Sequence, residues 1–440
     1  MPDPVRVSVD VFESLLAGYE RDFAVRLWNG TVLEPAPGRP ARFTFVLKHP
    51  GSLRALLWPP SQLTMAEAYL YDDIDIEGPL DEVFRLVDHL LVERHWSATE
   101  RLKLARRLLR LPSERASRAG RGPAHLQGAR SSLLRSRKAV GYHYDLPPEF
   151  YALYLDRRMV YTCGYFGSEH DSLDAAQERK LDHICRKLRL QPGERLLDIG
   201  CGFGGLIVHA AERYGVDALG VTLSPPQAEV ANARIAEAGL GDRARVEVRD
   251  YRELAEPEGF DKVASICMFE QVPEDELPDF FARAGALLRP GGVFLNQGVA
   301  AHADFERTAR RGPSFMERYV FPDGGAVSIG VALRAAESAG LEVRDVEGLR
   351  EHYALTLRHW VSRLERNAEQ ARALTDDVTY RVWRLYMAGS AYQMEHGRLN
   401  VYQALLAKPD RGAVRLPLTR DDLYEASDAR EPASTAFAGV

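Results

Sequence analysis

The feature that most constrains the fold is a short apolar run that breaks into closely spaced glycines, Leu196-Leu-Asp-Ile-Gly-Cys-Gly-Phe-Gly-Gly205. A buried strand that ends in a glycine loop and leads into a helix is a building unit of doubly wound α/β sheets. Glycines at such a turn let backbone N–H groups come close to a ligand. The segment therefore predicts an α/β fold with a ligand at the carboxyl end of this strand.

The order of the acid and the glycines indicates the type of ligand. Asp198 precedes Gly200, Gly202 and Gly204, whereas in the dinucleotide pattern the acid follows the glycines by about twenty residues. We therefore expect S-adenosylmethionine, not a nicotinamide dinucleotide. An ordinary strand–turn–helix connection is the alternative interpretation of the glycines alone.

Alternating helical and strand patterns surround this segment from Leu173 to about Val346. They predict a doubly wound, mostly parallel, Rossmann-like sheet. A helical region is expected over about 355–405. The predicted elements are helices over 174–189, 203–213, 225–238 and 275–288, and strands over 195–199, 217–221, 245–248, 261–266 and 292–297.

Shifts in composition predict the domain organisation. Residues 1–100 combine a strand-like run at Phe43–Leu47 with a helical pattern at Leu80–Leu91, as in a small α+β domain. Residues 101–140 are rich in Ser, Gly, Pro and Arg, which predicts a basic linker. The cofactor-binding domain is then expected over 141–408, followed by a frayed tail over 409–440.

Charge and cysteine usage exclude several classes of protein. The chain of 440 residues has a net charge of −6, an N-terminus without a basic-then-apolar signal, and no apolar run long enough to span a bilayer. We therefore expect a cytoplasmic protein. Its four cysteines lack C-x-x-C spacing, so we expect free thiols and no metal site.

Two further loops carry candidate cofactor contacts. In Val221-Thr-Leu-Ser-Pro-Pro-Gln227, Gln227 is expected to face the ribose. A capping box formed by Ser224 and Gln227 is the alternative, and it does not exclude that contact. Asp250 supplies an acceptor for the adenine amino group beside the ring of Tyr251, although an Asp at a strand end is often only a helix cap.

Several motifs in a fixed order are typical of one family. They are His143-Tyr-Asp-Leu-Pro-Pro-Glu-Phe-Tyr151, Leu155-Asp-Arg-Arg-Met-Val-Tyr-Thr-Cys-Gly-Tyr-Phe166, Gln177-Glu-Arg-Lys-Leu181, Leu196–Gly205, Gly220–Gln227, Met268-Phe-Glu-Gln-Val272, Tyr319-Val-Phe-Pro-Asp323 and His352-Tyr-Ala-Leu-Thr-Leu357. Through them the sequence resembles the cyclopropane-fatty-acid synthases and mycolic-acid cyclopropane synthases, and residues 66–78 resemble the small domain of the bacterial phospholipid-acting branch.

The resemblance implies an enzyme that transfers the methyl carbon of S-adenosylmethionine to the double bond of an unsaturated phospholipid acyl chain. A carbocation then loses a proton, and a cyclopropane ring closes. Aromatic faces stabilise such a cation. The resemblance also implies that the protein is a homodimer. The resemblance adds Tyr161, Thr162 and Leu223 to the cofactor contacts. The candidate aromatic residues, each of which fits an ordinary core position as well, are Tyr161, Tyr165, Phe166, Phe269 and Tyr353.

Family members hold a bicarbonate ion that removes the proton. The matching positions here are Cys163, Glu270, Tyr353, Gln297 and the backbone amide of Val299. Each of these side chains also fits a structural role. The family has histidine at the Gln297 position, and glutamine cannot take up a proton.

Two more departures occur at Gln271, where the family has histidine, and at Pro147-Pro148. Without bicarbonate, Glu270 becomes the expected proton acceptor and His143 the second choice, although a lone histidine is often structural. The product is then open among a cyclopropane, a methylene group and a methyl branch. A methyltransferase acting on a specialised metabolite, and a non-catalytic lipid- or cofactor-binding scaffold, remain alternatives.

Positive charge is concentrated between Arg101 and Lys138, where acidic residues are almost absent. The segment Arg101–Arg110 has the pattern of a basic amphipathic helix, which favours peripheral contact with an anionic membrane surface at the inner face of the membrane. A solvated helix face is the alternative. Nucleic acid is not expected as a partner, because aromatic residues are not interleaved with the basic ones.

Overall fold

The computed structural model describes residues 3–90, 94, 96–130, 132–256, 258–302 and 314–424. The described residues divide into two compact units. The first is formed from Met1–His125, Arg311–Pro322 and Leu357–His396, and the second from Leu126–Arg310, Asp323–Thr356 and Gly397–Val440. Each unit is therefore assembled from segments that are far apart in the sequence.

The N-terminal part of the first unit has an α+β arrangement. Its described strands form a four-stranded sheet in the order β2-β1-β3-β4, in which β1 and β3 run parallel and the other neighbours antiparallel. The elements are α1 (Pro4–Leu15), β1 (Ala24–Arg26), β2 (Val32–Leu33), β3 (Thr44–Leu47), α2 (Ser52–Leu57), α3 (Gln62–Leu70), β4 (Ile74–Glu77), α4 (Asp81–Asp88) and α5 (Ala98–Leu108).

The second unit is built on a mostly parallel sheet, which confirms the predicted Rossmann-like α/β fold. Within the described residues the strand order is β10-β11-β9-β8-β5-β6-β7, and only the pairs that involve β11 are antiparallel. The elements are α6 (Leu133–Tyr144), α7 (Pro148–Ala152), α8 (Leu173–Leu188), β5 (Arg195–Ile199), α9 (Gly205–Tyr214), β6 (Asp217–Thr222), α10 (Pro225–Glu237), β7 (Ala244–Val248), β8 (Phe260–Ile266), α11 (Leu277–Leu287), β9 (Leu288–Ala301), α12 (Ile329–Ser338), β10 (Glu342–Gly348) and β11 (Leu399–Ala407).

Apolar side chains cover both faces of this sheet. Leu196 packs in a cluster with residues of α8, α9 and α10. Its neighbour Leu197 belongs to a second cluster with residues of α11 and α12, because successive side chains of a strand point to opposite faces. Burial on both faces explains why the strands are apolar runs without alternation.

The prediction of a helical region over about 355–405 is wrong at its end. Helices α13 (Arg350–Arg366), α14 (Ala368–Leu374) and α15 (Asp377–Glu395) are followed by strand β11, which lies between β10 and β9. Gly397 separates α15 from β11 with a φ of +67°, a conformation that glycine adopts readily. The sequence did not distinguish this strand from a helix. The run Val401-Tyr-Gln-Ala-Leu-Leu406 is buried on both faces, so its apolar residues do not alternate with polar ones.

Two segments that were expected to be irregular contain ordered contacts. Helix α6 begins at Leu133, inside the expected linker. In the expected tail, α16 (Asp421–Tyr424) follows Arg420, whose Nε lies 2.6 Å from Oδ1 of Asp345. Residues 425–440 lie outside the described residues, and the domain boundaries stay a prediction.

Helix α15 belongs to the first unit, together with the N-terminal sheet. Its buried Arg381 donates to Asp377 at 2.8 Å, to Asp72 at 2.8 Å and to Asp75 at 3.2 Å. A buried cation requires such partners. This group of charges joins residues that are about 300 positions apart in the sequence.

The described ranges contain neither a membrane-spanning helix nor a cluster of metal ligands. There, no helix has both the length and the apolar character needed to cross a bilayer. Within those ranges, no group of three or more His, Cys, Asp or Glu side chains is arranged to hold a metal ion. Cys163, Cys185, Cys201 and Cys267 are free thiols.

Candidate active site

The glycine loop after β5 is shaped by close packing. Gly200, Gly202 and Gly204 have φ values of +79°, +55° and +76°, which L side chains rarely adopt. A Cβ on Gly204 would also lie 2.8 Å from the Cβ of Ala231 in helix α10. The loop therefore requires glycine and leads directly into the N-terminus of α9, the end of a helix that favours anionic and polar ligands.

Asp198 lies at the end of β5 beside this loop. Its side chain is buried, and Oδ1 has no hydrogen-bond partner among the described residues. Burial raises the pKa of Asp198 to about 7, while the charge of Lys180 acts in the opposite direction. Lys180 in turn donates to the hydroxyl of Thr162 at 2.9 Å. An unpartnered buried carboxylate oxygen suits a ligand that brings a cation or a hydrogen-bond donor, and S-adenosylmethionine carries both.

The loop after β6 corrects one sequence-based alternative. Ser224 stands at the N-cap position of α10, but its hydroxyl donates to Oδ1 of Asp145 at 2.8 Å and forms no cap. Gln227 is buried and accepts a hydrogen bond from Thr222 at 2.9 Å. The capping box is therefore absent from these described residues. Leu223 is half-buried in the same loop.

The loop after β7 favours the structural interpretation of Asp250. This carboxylate caps the short 3₁₀ turn Tyr251–Glu253 and accepts from the backbone and side chain of Arg252, with Nε to Oδ1 at 2.8 Å and Nη2 to Oδ2 at 2.7 Å. The ring of Tyr251 packs edge-on against Phe280 at 5.5 Å. Both Asp250 oxygens thus already have partners within the chain.

A cluster of aromatic rings surrounds Tyr161. Ring centroids lie 5.5 Å away at Tyr151, 5.7 Å at His143, 5.8 Å at Tyr154 and 6.3 Å at Tyr144. Nε2 of His143 lies 3.3 Å from the Tyr161 hydroxyl. Burial raises the pKa of Tyr161 well above its ordinary value, so the phenol stays neutral. Several neutral aromatic rings in one place can stabilise a cation.

Tyr165 lies apart from this cluster, although it was a candidate for it. The Tyr165 ring stacks between His183 at 4.4 Å and His352 at 4.7 Å, and its hydroxyl donates to Glu347 at 3.2 Å. The backbone N–H of Phe166 donates to Nδ1 of His352 at 3.0 Å. These contacts hold the segment that carries Cys163 and give the Tyr165 ring a structural role, while the buried Phe166 ring stays a candidate.

Glu270 stands in the 3₁₀ turn Phe269–Gln271 that follows β8. Its Oε2 is buried without a partner among the described residues. Burial raises the pKa of Glu270 to about 7, and the backbone N–H of Val299, which hydrogen-bonds the carboxyl group, acts against that rise. A Cβ on Gly298 would overlap the Phe269 ring and lie 2.8 Å from Oε2. Glycine at 298 therefore makes room for both side chains.

Gln297, at the family's histidine position, is part of a buried amide pair. Its Oε1 accepts from Nε2 of Gln403 at 2.9 Å, and its Nε2 donates to Sγ of Cys267 at 3.5 Å. Gln297 and Gln403 are both fully buried. Cys267 has a φ of +58° and donates its backbone N–H to the Gln297 carbonyl at 2.7 Å.

Cys163 and Tyr353 come together at the carbonyl of Leu349. Sγ of Cys163 lies 3.8 Å from that oxygen, and the backbone N–H of Tyr353 donates to it at 3.0 Å. The Cys163 thiol also donates to the Gly164 carbonyl at 3.1 Å. Burial raises the pKa of Cys163 well above its ordinary value, so the group is a neutral thiol.

The implied bicarbonate fits this arrangement poorly. The Val299 amide donates to Glu270, the Gln297 amide is used by Gln403 and Cys267, and the Cys163 thiol faces carbonyl oxygens. An anion there would also lie near the Glu270 carboxyl group, which is unfavourable. We derive no reaction step through bicarbonate.

Sequence reasoning missed Tyr144, Cys267 and Gln403. Burial, followed by the charges of Glu270 and Cys267, raises the pKa of Tyr144, and the Tyr144 ring stands edge-on to Tyr161 with centroids 6.3 Å apart. Its position directly after His143 in a family motif was an available signal. Gln403 was detectable only as one amide in an otherwise apolar run.

The Pro147-Pro148 pair has a structural explanation, since Pro148 is the first residue of α7.

Comparison with known proteins agrees with this architecture. The family model described as mycolic acid cyclopropane synthetase matches residues 131–404. The chain belongs to the mycolic acid cyclopropane synthetase family. A second model, for a domain of unknown function (DUF7884), matches residues 11–89. As members of this family are S-adenosylmethionine-dependent methyltransferases, the chain is an enzyme of that class, and the scaffold alternative is wrong.

Relatives of this family member match over most of its length. A probable fatty acid methyltransferase of Pseudomonas putida is 38% identical over 91% of this chain and 95% of its own. A probable fatty acid methyltransferase of Mycobacterium tuberculosis is 36% identical over 84% of this chain and 88% of its own. Among solved structures, mycolic acid cyclopropane synthase CmaA1 complexed with SAH and CTAB is 33% identical with a TM-score of 0.59, covering 62% of this chain and 98% of that one.

Proposed function

We propose that this enzyme transfers the methyl carbon of S-adenosylmethionine to the double bond of an unsaturated fatty acyl chain in phospholipid and forms a cyclopropane fatty acid. The observation that carries the proposal is the buried Glu270 carboxyl group. Its Oε2 has no partner among the described residues, its charge helps to raise the pKa of Tyr144, and the Tyr144 ring lies 6.3 Å from that of Tyr161. These groups supply a proton acceptor beside a set of rings suited to a cation.

The residues fit the cofactor. Asp198 and the loop of Gly200, Gly202 and Gly204 would hold S-adenosylmethionine, since they offer an unpartnered acceptor beside the N-terminus of helix α9. When bound there, the cofactor supplies an electrophilic methyl group. Thr162, Leu223 and Gln227 are proposed as further contacts, whereas Asp250 is proposed to act through its pair with Arg252.

The chain's own residues address two difficulties of the reaction. An alkene that accepts a methyl group becomes a carbocation, which water would trap, so the site has to be dry and rich in electrons. Tyr161 and Tyr144, both half-buried, present neutral rings for this purpose. Glu270, with a pKa of about 7, is matched to accept a proton near neutral pH. Loss of that proton from the new methyl carbon lets the three-membered ring close.

The fatty acyl substrate has support from the relatives. The two that match most of the chain are named probable fatty acid methyltransferases, and the solved CmaA1 structure contains CTAB, a molecule with a long alkyl chain. Phospholipid as the carrier rests on the sequence resemblance of the N-terminal region and on the basic helix α5. A homodimer is also part of the proposal, and sedimentation of the purified protein tests it.

A methyl- or methylene-branched acyl product is the second candidate. The observation that favours it is the Gln297–Gln403 pair, because a neutral amide stands where the family has a titratable histidine. Weaker proton removal would leave time for a hydride shift in the cation. The shifted cation then loses a proton from the methyl carbon or from a neighbouring chain carbon, so the same first step ends in a methylene-branched or an unsaturated methyl-branched chain instead of a ring.

Helix α5 is proposed to contact an anionic membrane, which would hold the protein at the inner face of the membrane. Leu102 in α5 and Leu109, directly after the helix, are 51% and 49% exposed. Their neighbours in the sequence include exposed Arg101, Lys103, Arg106 and Arg110. None of these four cations forms an ion pair within the described part of the chain. Each such charge near anionic lipid contributes about 1 kcal/mol.

Turnover in the presence of defined vesicles tests the proposal. The enzyme is incubated with S-adenosylmethionine and vesicles of mono-unsaturated anionic phospholipid, and S-adenosylhomocysteine is measured. We expect release only when the acyl chains contain a double bond, with vesicles of saturated lipid as the control. Equal turnover with neutral vesicles would contradict the membrane part of the proposal. If no unsaturated lipid or fatty acid supported turnover, the proposed substrate would be wrong.

A further inference from the structure

Gln403 is held directly opposite Gln297 in the sheet. The two residues are register partners in the antiparallel pair β11–β9, so their side chains share one face. Both are fully buried. Nε2 of Gln403 donates to Oε1 of Gln297 at 2.9 Å. This contact engages the oxygen end of the Gln297 amide.

The direction of the Gln297 amide follows from that contact. With Oε1 bound to Gln403, the N–H₂ end points to Cys267, where Nε2 lies 3.5 Å from Sγ. The backbone N–H of Cys163 also donates to the Cys267 thiol. Because the two ends of an amide differ, a donor and not an acceptor is presented on the Cys267 side.

The direction matters because Glu270 lies beside the next two residues of β9. Its Oε2 is close to Gly298, and its carboxyl group accepts from the N–H of Val299. Cys267, which contacts Gln297, is near enough to Glu270 for the carboxylate charge to raise its pKa. A reversed amide would place a second oxygen acceptor in this neighbourhood. That oxygen and the Glu270 carboxylate would then both attract the positive charge of the acyl chain.

We propose that Gln403 is a positioning residue that holds the Gln297 amide with its donor end towards Cys267 and thereby determines how the cationic acyl chain loses its proton. The inference rests on the proposed function. Gln403 itself exchanges no proton, and its effect passes through Gln297. Removal of the Gln403 donor frees Oε1 of Gln297, lets the amide reverse, and changes the ratio of ring-closed to branched product.

The test compares Gln403→Met with the wild type by the product ratio for each S-adenosylhomocysteine released. We expect this ratio to change by about three- to tenfold, the effect of one buried hydrogen bond. Gln403→Glu provides a rescue, because a protonated carboxyl group donates to Gln297 and an ionised one does not. Its product ratio is expected to match the wild type at low pH and to depart from it at high pH. Leu405→Met, on the same face of β11, is the control and leaves the ratio unchanged.

The background of Gln297→Met separates positioning from a direct effect. There, Gln403→Met is expected to cause no further change in the product ratio, and the effects of the two single substitutions on the unfolding free energy are expected not to add up to the effect of the double variant. An unchanged ratio in Gln403→Met, or a full effect in the Gln297→Met background, would overturn the positioning role while leaving the proposed function intact. A wild-type enzyme that forms no methylated acyl chain would overturn both.

Discussion

Arg135 donates hydrogen bonds to both carboxylate oxygens of Asp323, with Nε 2.5 Å from Oδ2 and Nη2 2.6 Å from Oδ1. The side chains are only 17% and 13% exposed. Arg135 belongs to the basic segment for which membrane contact was considered from the sequence. The pair assigns this arginine to the fold of the second unit, so the basic segment is not one continuous membrane-binding surface.

The first prediction concerns this pair. Arg135→Ala is expected to lower the free energy of unfolding by about 1 to 2 kcal/mol, because it leaves Asp323 without its two charged hydrogen bonds. Chemical denaturation measures the loss. Lys138→Ala is the matched control, since Lys138 is exposed on the same helix, and it is expected to change stability little. Equal effects of the two substitutions would contradict the structural role of Arg135.

Glu270 gives a prediction about pH. With a folded pKa of about 7, the carboxyl group becomes a competent proton acceptor only as the pH rises through that value, so kcat is expected to rise between about pH 6 and pH 8. Glu270→Gln is expected to lower kcat by about a hundredfold or more and to leave S-adenosylmethionine binding in place. Asp275→Asn, exposed in the neighbouring turn, is the control. A Glu270→Gln variant with wild-type kcat would return this residue to a structural role.

The ionised Asp198 carboxylate is expected to lower the stability of the ligand-free protein and to strengthen cofactor binding. An acid whose pKa rises from 3.8 to about 7 on folding holds its proton more tightly when folded. Its contribution to stability is therefore lost as pH rises from 3.8 to 7 and is constant above that. Asp198→Asn is expected to stabilise the ligand-free protein at pH 8 by up to about 4 kcal/mol and to weaken S-adenosylmethionine binding.

Thermal melts at pH 5 and pH 8, with isothermal titration of the cofactor, measure both effects of Asp198→Asn. Asp217→Asn is the control, because Asp217 is exposed at the start of β6. Tighter cofactor binding by Asp198→Asn would show that the unpartnered Oδ1 is not part of the cofactor site.

His209 predicts sensitivity to acid. Both ring nitrogens are buried without partners among the described residues. Burial, followed by the charge of Arg158, lowers the pKa of His209 to about 4. The unfolded chain therefore takes up a proton first, and stability falls as pH drops from 6.5 towards 4. At pH 5, His209 alone is expected to lower the free energy of unfolding by about 2 kcal/mol.

His209→Leu is expected to remove that part of the pH dependence, as measured by urea denaturation at pH 5 and pH 7.5. His170→Leu, at an exposed loop position, serves as the control. A His209→Leu variant that loses as much stability in acid as the wild type would show that other groups cause the loss.

The sequence was most informative about local structure near the glycine loop. The strand at 195–199 and the helices on either side follow from apolar runs, glycines and caps that act over a few residues, and the structure confirms them at Arg195–Ile199, Leu173–Leu188 and Gly205–Tyr214. Placement of Glu270 after a strand followed from the same reasoning. Such features depend on chain neighbours, so they are visible in a single sequence.

Contacts between distant segments were not visible. The pairing of Gln403 with Gln297 requires β11 to lie between β10 and β9, and no local pattern reveals that order. Ser224 had every sequence feature of a helix cap, but the carboxylate of Asp145, 79 residues earlier, takes its hydroxyl. Tyr165 was separated from Tyr161 by its stacking on His183 and His352. In each case a tertiary partner decided between two locally reasonable interpretations.

The fate of the transferred methyl hydrogens tests the central claim most directly. The enzyme is incubated with S-adenosylmethionine that carries a trideuterated methyl group and with vesicles of mono-unsaturated anionic phospholipid, and the released fatty acids are analysed by mass spectrometry and NMR. Proton loss from the new methyl carbon predicts a cyclopropane that retains two deuterium atoms. A methyl-branched chain that retains all three would contradict ring closure, and an unlabelled lipid would contradict the acyl substrate itself.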